Sequence, residues 1–424
     1  MNLIDIKNPC PCGKNHKCVT KNITIGKNLT GQLIDFIKSG VDNSSNGCII
    51  CDGNTYKAAN YMINSLGNLC EIAKLDIKSH HADEFMVEDC EKVLENKSFD
   101  YFIACGAGTI HDITRIIAHK YDKPFISYPT AASVDGFVSV IAPITTKTGM
   151  KISLPAVAPI ALFADIDVLA NAPKRLTASG VADILGKYIA LADWRVANLF
   201  AGEYICEPTF ELEYHALEKV VKSLRELRMD SRELYEKFCA DLVEALIISG
   251  ICMQYIGNSR PASGAEHHIA HFFEMGIILS TDCLHGENVG VGSILCADLY
   301  HRFAKSENIK FVQNYGLEHD LIDKYYASIR ELIMEENAPN SVKNVTPELF
   351  YKNLTEIKNI ISTIPSREEF AELLGILDGV NDLNGIKAYD LKCDASEIEP
   401  LALKLAPYIR NRLTLLKLMR CVEF

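Results

Sequence analysis

The stretch FDYFIACGAGTIHDITRIIAHKYDKPFISYPT, residues 99–130, decides the fold class of this chain. It begins with an apolar run that ends in the loop Cys-Gly-Ala-Gly. A segment with apolar side chains at helical spacing follows, and then a second apolar run. A buried strand that passes through a glycine loop into a helix and a further strand is typical of a β–α–β unit with parallel strands.

The same alternation of strand and helix extends on both sides of this stretch. GCIICDGN (47–54) and APIALFADID (158–167) predict two more strands, and TYKAANYMINSLG (55–67) predicts a helix. After about residue 171, apolar residues recur every three or four positions, and we find no convincing strand. We therefore predict an α/β N-terminal nucleotide-binding domain over 1–170 and an all-α C-terminal domain over 171–424.

Composition restricts the class of protein and its partners. The chain has 424 residues, 48% of them apolar, which favours two globular domains. Its net charge of −12 disfavours a nucleic-acid partner. The most apolar stretches are interrupted by acids or prolines, so we expect no membrane partner. The 15 cysteines often lie inside apolar runs, as Cys48 and Cys51 do, which indicates reduced thiols in a cytoplasmic protein.

One group of cysteines stands apart from the others. Cys10, Cys12, His16 and Cys18 lie within the short segment CPCGKNHKC and could together form a small metal knuckle. The spacing lacks the paired Cys-x-x-Cys of a regular zinc module. The pattern therefore favours a loose, reduced N-terminal segment over a structural metal site.

The glycine loop is a candidate site for a nucleotide. Gly106 and Gly108 lie where a strand becomes a helix, and the backbone N–H groups there can bind a diphosphate. His111 occupies the place of the third glycine of the usual dinucleotide motif, so a tight turn without a ligand remains an alternative. Asp52 ends an earlier strand, where it can bind the ribose hydroxyls and favour NAD over NADP; the alternative is a simple Asp-Gly turn.

Histidines are concentrated between residues 260 and 290. His267 and His271 are four residues apart in RPASGAEHHIAHFFEMG and share a helix face, and His285 follows in His-Gly-Glu-Asn. Imidazoles in this arrangement suit a divalent metal, and Asp183 in SGVADILGK is the best candidate for a further ligand, although it could instead face a helix dipole. A metal beside a nucleotide loop indicates interconversion of an alcohol and a carbonyl.

Five motifs together resemble one known family. They occur in the order GAGTIHD, PTAASVDGFVS, SGVADILGK, RPASGAEHHIAH and HGENVGVG, and the resemblance runs from about Cys48 to Tyr300. The chain is similar to the glycerol-1-phosphate dehydrogenase family of the glycerol dehydrogenase and dehydroquinate synthase-like superfamily. The resemblance implies a dehydroquinate synthase-like fold with an all-α metal-binding domain. The activity it implies is reversible, NAD(P)- and metal-dependent reduction of dihydroxyacetone phosphate to sn-glycerol 1-phosphate, as in phospholipid metabolism.

The resemblance also implies a role for individual residues. It assigns the cofactor to Gly106, Ala107, Gly108, Thr109, Ile110, Asp112, Thr130, Ser133 and Ser139, to which the strand-end argument adds Asp52. It assigns the metal to Asp183, His267 and His285, and the substrate to Asp135, Asp183 and His271. Asp135 and His271 are expected to be catalytic, His271 through a proton relay, and His268 a bystander. Lys187 occupies the position of a histidine in the iron-dependent branch, which favours one zinc or nickel ion over iron.

The substrate is the least determined part of the prediction. A phosphate ester needs a cationic anchor, for which Arg260 is the first candidate and Lys151 the second; either could instead be a surface charge. The alternatives are a glycerol or other polyol dehydrogenase, a dehydroquinate synthase-like lyase that turns over no NADH, and a metal-stabilised scaffold that binds no nucleotide. We expect a small-molecule phosphate as substrate and a homodimer or higher homo-oligomer.

Overall fold

The computed structural model of this protein describes residues 9–40, 46–77, 79–228 and 230–424. A six-stranded parallel sheet organises the first part, in the order β1-β8-β5-β4-β2-β3. The strands of this sheet are β1 Asn22–Gly26, β2 Gly47–Asp52, β3 Cys70–Leu75, β4 Tyr101–Gly106, β5 Phe125–Pro129 and β8 Ala161–Asp165. A separate antiparallel ribbon consists of β6 Ile141–Thr145 and β7 Lys151–Pro155. The helices of this part are α1 Thr30–Gly40, α2 Gly53–Ala58, α3 Asn60–Ser65, α4 Glu84–Leu94, α5 Gly108–Lys120 and α6 Ile166–Leu169.

The predicted β–α–β unit is confirmed as β4, α5 and β5. Every residue of β4 is buried, because it lies between β2 and β5 and is covered on both faces. Cys48 and Cys51 of β2 are also buried and pack into the two different apolar clusters on either side of the sheet. The two thiols are therefore core residues on opposite faces of β2.

Helices dominate the rest of the chain. They are α7 Lys174–Leu185, α8 Lys187–Ala201, α9 Glu207–Arg225, α10 Arg232–Ile256, α11 Ala265–Glu274, α12 His285–Lys305, α13 His319–Tyr325, α14 Arg330–Glu336, α15 Pro347–Ser362, α16 Arg367–Gly375, α17 Ile398–Leu405 and α18 Leu415–Met419. Short 3-10 helices cover Gly136–Val138, Ala327–Ile329, Leu383–Gly385, Ala395–Glu397 and Ala406–Tyr408. Within the described residues, α10 alone is long and apolar enough to cross a membrane, and 78% of its most apolar window is buried inside the fold.

The prediction that no strand follows residue 171 is wrong in detail. Strand β9 (Leu279–Thr281) pairs with β11 (Ala388–Leu391), and β10 (Lys310–Phe311) pairs with β12 (Val422–Glu423), both antiparallel. These strands have two to four residues, too few to show an alternating pattern in sequence. The parallel sheet ends at Asp165, so the predicted boundary at 170/171 falls between α6 and α7.

Three glycines let the helices behind the cleft approach one another closely. A Cβ atom on Gly180 of α7 would lie 2.0 Å from the carbonyl oxygen of Ala132, and one on Gly286 of α12 would lie 1.8 Å from that of Ser179. A Cβ atom on Gly292 would lie 2.4 Å from the carbonyl oxygen of Glu266 in α11. Backbone oxygens cannot move aside as a flexible side chain can. The glycines therefore determine how closely α7, α11 and α12 pack.

We predict that Gly180→Ala lowers the melting temperature, because relief of the clash with Ala132 must shift α7 or the loop after β5. Overpacking of this kind costs about 1–3 kcal/mol. Gly31→Ala is the matched control: it lies in α1, and no described atom lies within 4 Å of its new methyl group. Thermal unfolding followed by circular dichroism measures both. Equal melting temperatures for the two variants would contradict the close-packing account.

Candidate active site between the sheet and the helices

A cleft of about 750 Å³ lies at the carboxyl ends of the parallel strands, where α/β sheets bind their ligands. The sheet side contributes Asp52 at the end of β2, residues 107–110 after β4 and the segment 133–136 after β5. The helical side contributes His267 and His285, among other residues. The candidate nucleotide loop and two of the candidate metal ligands, His267 and His285, therefore line one cavity.

Asp183, His267 and His285 come together as predicted. One ligand atom from each lies within 4.8 Å of the others, and Nε2 of His267 is 3.7 Å from Oδ1 of Asp183. Ligand atoms at about 2.0–2.3 Å from one zinc ion lie about 3.3–3.8 Å apart, so the spacing and donor types fit a divalent ion. The side chains come from three helices, α7, α11 and α12.

Carboxylates behind the two histidines orient their rings. Nδ1 of His267 lies 2.6 Å from Oε1 of Glu266, and Nδ1 of His285 lies 2.6 Å from Oε1 of Glu274. A carboxylate accepts the Nδ1–H proton, so Nε2 of each ring remains as the ligand atom. The sequence interpretation missed both acids, although Glu266 directly precedes His267 and Glu274 follows His271 by three positions.

Glu274 also connects the two parts of the molecule. Its carboxylate lies 3.0 Å from Nζ of Lys151, the first residue of β7, and both side chains are almost fully buried. Burial raises the pKa of Glu274, but Lys151, His81 and His285 outweigh that effect and hold it well below its usual value. Burial lowers the pKa of His285, whereas Glu274 and Asp183 raise it above its usual value. Glu274 is thus an ionised acceptor for the ring of His285.

Asp183 is fully buried and surrounded by donors. Its Oδ2 accepts the backbone N–H of Asp135 at 3.0 Å, and its Oδ1 accepts Nζ of Lys187 at 2.9 Å. Burial would raise the pKa of Asp183, but the charge of Lys187, with His285 and His267, lowers it overall. Asp183 therefore remains ionised and able to bind a metal.

Lys187, which the sequence analysis used only to choose between metals, forms ion pairs within the site that it did not predict. Its fully buried ammonium group also lies 2.7 Å from Oδ2 of Asp135 and 3.0 Å from the carbonyl oxygen of Ala262. Asp135 in turn accepts a hydrogen bond from Ser249 at 3.1 Å and lines the cleft. One turn after Asp183, this chain therefore has a cation that neutralises two carboxylates.

His271 faces the cleft as predicted. Its ring centroid lies 6.1 Å from that of His267 and 5.9 Å from that of His285, and its Nδ1 has no hydrogen-bond partner among the described residues. Burial, opposed in part by Glu274, holds the pKa of His271 well below its usual value, so the ring is neutral near pH 7. His268 is buried and lies outside the cleft lining, as expected of a bystander.

Helix α5 begins at the glycine loop without a cap. Among the described residues, no side chain accepts a hydrogen bond from its first N–H groups, whereas Asp83 caps the N-terminus of α4. Uncapped N–H groups at a helix N-terminus are the donors that a diphosphate requires. The donor set therefore fits the phosphates of NAD(P).

The predicted cofactor residues divide into two groups. Those that line the cleft are Asp52, Ala107, Gly108, Thr109, Ile110, Asp112, Ser133 and Ser139. Gly106 and Thr130 are outside the lining and instead support the loop: the N–H of Thr130 donates to the carbonyl of Gly106 at 3.0 Å. Asp52 also caps α2 by accepting the N–H of Asn54 at 2.6 Å, so it makes the turn and lines the cleft at once.

The structure places the candidate phosphate anchors differently from the prediction. Lys151 lines the cleft, but Arg260 does not, because Glu203 binds its Nε and Nη2 atoms at 2.7 and 2.6 Å. Both cations are buried, so the alternative of a surface charge is wrong for each. Arg410 and Arg412, which the sequence interpretation missed, donate to two cleft-lining serines, Ser153 at 2.7 Å and Ser259 at 2.8 Å.

Positive charge is only partly compensated beside these serines. Neither Arg410 nor Arg412 forms an ion pair within 4.0 Å in the described part of the chain. Burial, together with the charges of Arg260 and Arg410, lowers the pKa of Arg412 to about 9. An anion bound at this end of the cleft would offset that unfavourable environment.

Comparisons with known proteins find similar sequences and a similar fold. The profile of a family described as iron-containing alcohol dehydrogenase matches residues 24–173. A glycerol-1-phosphate dehydrogenase [NAD(P)+] of Halalkalibacterium halodurans is 33% identical over 422 residues, 97% of this chain and 95% of the relative. One from Bacillus velezensis is 39% identical over 298 residues, 68% of this chain and 74% of the relative. The crystal structure of glycerol dehydrogenase from Schizosaccharomyces pombe matches with a TM-score of 0.52 at 18% identity, covering 95% of this chain and 96% of that one, which shows the fold.

We predict that Glu274→Gln weakens binding of a divalent metal by about 10–100-fold, the usual effect of losing a carboxylate that orients a ligand histidine. Glutamine neither carries the charge that polarises His285 nor balances Lys151. Competition between the protein and a metal chelator measures the affinity. Glu91→Gln on the surface of α4, where Glu91 pairs with Lys120, is the control and should change nothing. An unchanged affinity in Glu274→Gln would show that Glu274 does not support the metal site.

Proposed function

This chain belongs to the glycerol-1-phosphate dehydrogenase family, and we propose that it reduces dihydroxyacetone phosphate reversibly to sn-glycerol 1-phosphate with NAD(P)H. One observation carries this proposal: a single cleft combines an uncapped helix N-terminus, the two histidines of an Asp-His-His ligand set and serines that are hydrogen-bonded to two arginines. These are the groups that a dinucleotide, a divalent metal and a phosphate ester require.

The ligand residues prepare the site for a metal. Asp183, His267 and His285 would hold the ion, for which we propose zinc or nickel because imidazole and carboxylate donors suit both. When bound, the ion supplies a Lewis acid for the carbonyl oxygen and NAD(P)H supplies the hydride. Glu266 and Glu274 orient the two imidazoles before any ligand arrives, which avoids reorganisation when substrate binds.

Asp135 and His271 are the residues we propose to act on the substrate. Asp135 is held by Lys187 and Ser249, so its carboxylate has a fixed position at the cleft wall for binding a substrate hydroxyl. Reduction of a ketone adds a proton to the oxygen as well as a hydride to the carbon. His271 is neutral and faces the cleft, so it can pass a proton from solvent to that oxygen without itself carrying a charge.

We place the substrate phosphate beside Arg410 and Arg412 rather than at Arg260. Glu203 already neutralises Arg260, whereas the other two arginines donate to cleft-lining serines and lack a carboxylate partner among the described residues. Charge-assisted hydrogen bonds from guanidinium groups suit a phosphate. Lys151 lies within the cleft but is engaged by Glu274, so we propose that it serves the metal site and not the phosphate.

Further parts of the proposal concern the cofactor and the cellular setting. Asp52 lines the cleft at the end of β2, where its negative charge favours NAD over NADP, which carries a 2′-phosphate. The 15 cysteines are free thiols in the structure, which supports a reducing cytoplasmic location. We also propose that the protein is a homodimer or a higher homo-oligomer with no nucleic-acid or membrane partner.

The test is NADH oxidation by the metal-loaded protein with dihydroxyacetone phosphate and dihydroxyacetone in parallel. We expect a much higher kcat/KM for the phosphate ester. A preference for the unphosphorylated ketone would instead indicate a polyol dehydrogenase. No NADH turnover with either compound, despite bound metal and NAD, would overturn the assignment in favour of a lyase.

We predict that Arg410→Gln and Arg412→Gln each lower kcat/KM for dihydroxyacetone phosphate by about 30-fold, which corresponds to about 2 kcal/mol for a charge-assisted hydrogen bond. Activity with dihydroxyacetone should stay within a factor of about two, because that substrate has no phosphate to lose. Arg302→Gln, on the surface of α12 and paired with Asp298, is the control. Equal losses with both substrates would show that the arginines support the fold and do not bind the phosphate.

A further inference from the structure

A second cluster of metal-binding side chains lies away from the cleft. Cys10, Cys12, His16 and Cys206 place one ligand atom each within 4.8 Å of one another, although Cys206 follows the others by about 190 residues. Cys10, His16 and Cys206 are buried and Cys12 is half-buried. Cys18, which the sequence analysis grouped with this segment, is not part of the cluster, and its thiol donates to the carbonyl of Thr20.

The distances within the cluster match a tetrahedral metal site. The sulfur atoms of Cys10 and Cys206 are 3.7 Å apart, and Nε2 of His16 lies 3.2 Å from the sulfur atoms of both Cys12 and Cys206. Two thiolates on one zinc ion at about 2.3 Å lie about 3.8 Å apart, and a thiolate and an imidazole nitrogen about 3.5 Å apart. A sulfur–sulfur distance of 3.7 Å is also far longer than the ~2.05 Å of a disulfide.

His16 is already held in the tautomer that a metal requires. Its Nδ1 lies 2.8 Å from the carbonyl oxygen of Tyr255, which can only accept a hydrogen bond. Nδ1 therefore carries the proton, and the lone pair of Nε2 points toward the two sulfur atoms. A backbone carbonyl behind a histidine is a common second partner in metal sites, because it fixes the orientation of the ring.

The backbone of the N-terminal segment is folded around the same point. The N–H of Cys10 donates to the carbonyl of Lys14, and the N–H of Gly13 donates to the carbonyl of Cys10. Gly13 has a φ of +84°, in the region that favours glycine, so this turn can bring Cys10, Cys12 and His16 to one side. A loop that presents three ligands to a fourth from the residue before a distant helix is compatible with a closed structural site.

We propose that Cys10, Cys12, His16 and Cys206 bind a structural zinc ion in a Cys₃His site. The site is distinct from the cleft and needs no substrate, so it does not depend on the proposed function. Four protein ligands leave no open position for chemistry, and three thiolates suit zinc better than the harder magnesium or calcium ions.

The proposed ion would attach the N-terminal segment to the helices that support the active site. Cys206 precedes the first residue of α9, and Tyr255 lies in the last turn of α10. The same helix α10 carries Ser249, which donates to Asp135, and Gln254, which donates to the carbonyl of Val138 at 2.6 Å. Metal binding should therefore stabilise the position of α10 behind the cleft.

Cobalt substitution distinguishes this site from the cleft. Purified protein is stripped of metal under reducing conditions and titrated with Co²⁺. The cluster should give the near-ultraviolet thiolate-to-cobalt absorption band, which the Asp-His-His site cannot produce because it has no sulfur. Zinc added afterwards should displace the cobalt and remove the band. A wild-type protein that binds cobalt without this band would overturn the proposal, and so would a Cys10–Cys206 disulfide found by mass spectrometry in the protein as purified, before reduction.

Variants assign the band to individual residues. Cys206→Ser should lose it and should bind one zinc ion fewer per chain by elemental analysis, whereas Cys18→Ser, in the same segment but outside the cluster, should retain both. If Cys206→Ser does not fold, Cys12→Ser at the half-buried edge provides the same measurement. Retention of the band and of the full zinc content in a folded Cys206→Ser or Cys12→Ser variant would contradict the proposal.

Discussion

A carboxylate buried among helices is costly unless cations and donors surround it, and Asp183 has such a set of partners. The N–H of Asp135 donates from the loop after β5, and the ammonium of Lys187 donates from the start of α8. The ring of His267 on α11 lies beside the same carboxylate as a second candidate ligand, with its unprotonated Nε2 3.7 Å from Oδ1. Each partner belongs to a different element, so the position of one carboxylate depends on how the sheet and three helices pack. Gly180 allows α7 to pack closely against the loop after β5, and Gly286 allows α12 to pack closely against α7.

Charge balance extends this arrangement across the cleft. Glu274 on α11 pairs with Lys151 on the β6–β7 ribbon and also orients His285 at the start of α12. On the other side, Lys187 is shared between Asp183 and Asp135. Buried acids and bases thus alternate around the proposed metal position, and each histidine ligand is oriented before an ion arrives. A site prepared in this way loses little free energy to reorganisation when substrate and cofactor bind.

Local sequence patterns were enough to predict the central strands of the sheet and the candidate metal ligands. The strands β2, β4, β5 and β8 showed as apolar runs, and the spacing of His267, His271 and His285 indicated the ligand set. Edge strands such as β1, and the short strands β9 to β12, lack such a pattern. Contacts between residues that are distant in sequence could not be predicted, because sequence spacing indicates only which residues share a strand or a helix face. Examples are the contacts of Lys151 with Glu274, of Arg412 with Ser259 and of His16 with Cys206. The same applies to Arg260: its motif was recognised in the sequence, but its ion-pair partner Glu203 is distant in sequence and was not predicted.

The most direct test of the central claim is an anomalous difference map from crystals of the metal-loaded protein, recorded at the absorption edge of the bound ion. The account predicts a peak in the cleft within bonding distance of a carboxylate oxygen of Asp183 and of Nε2 of both His267 and His285. It also predicts that Nδ1 of each ring remains hydrogen-bonded to Glu266 or Glu274. An ion bound through Nδ1, or a cleft peak that does not contact Asp183, would contradict it.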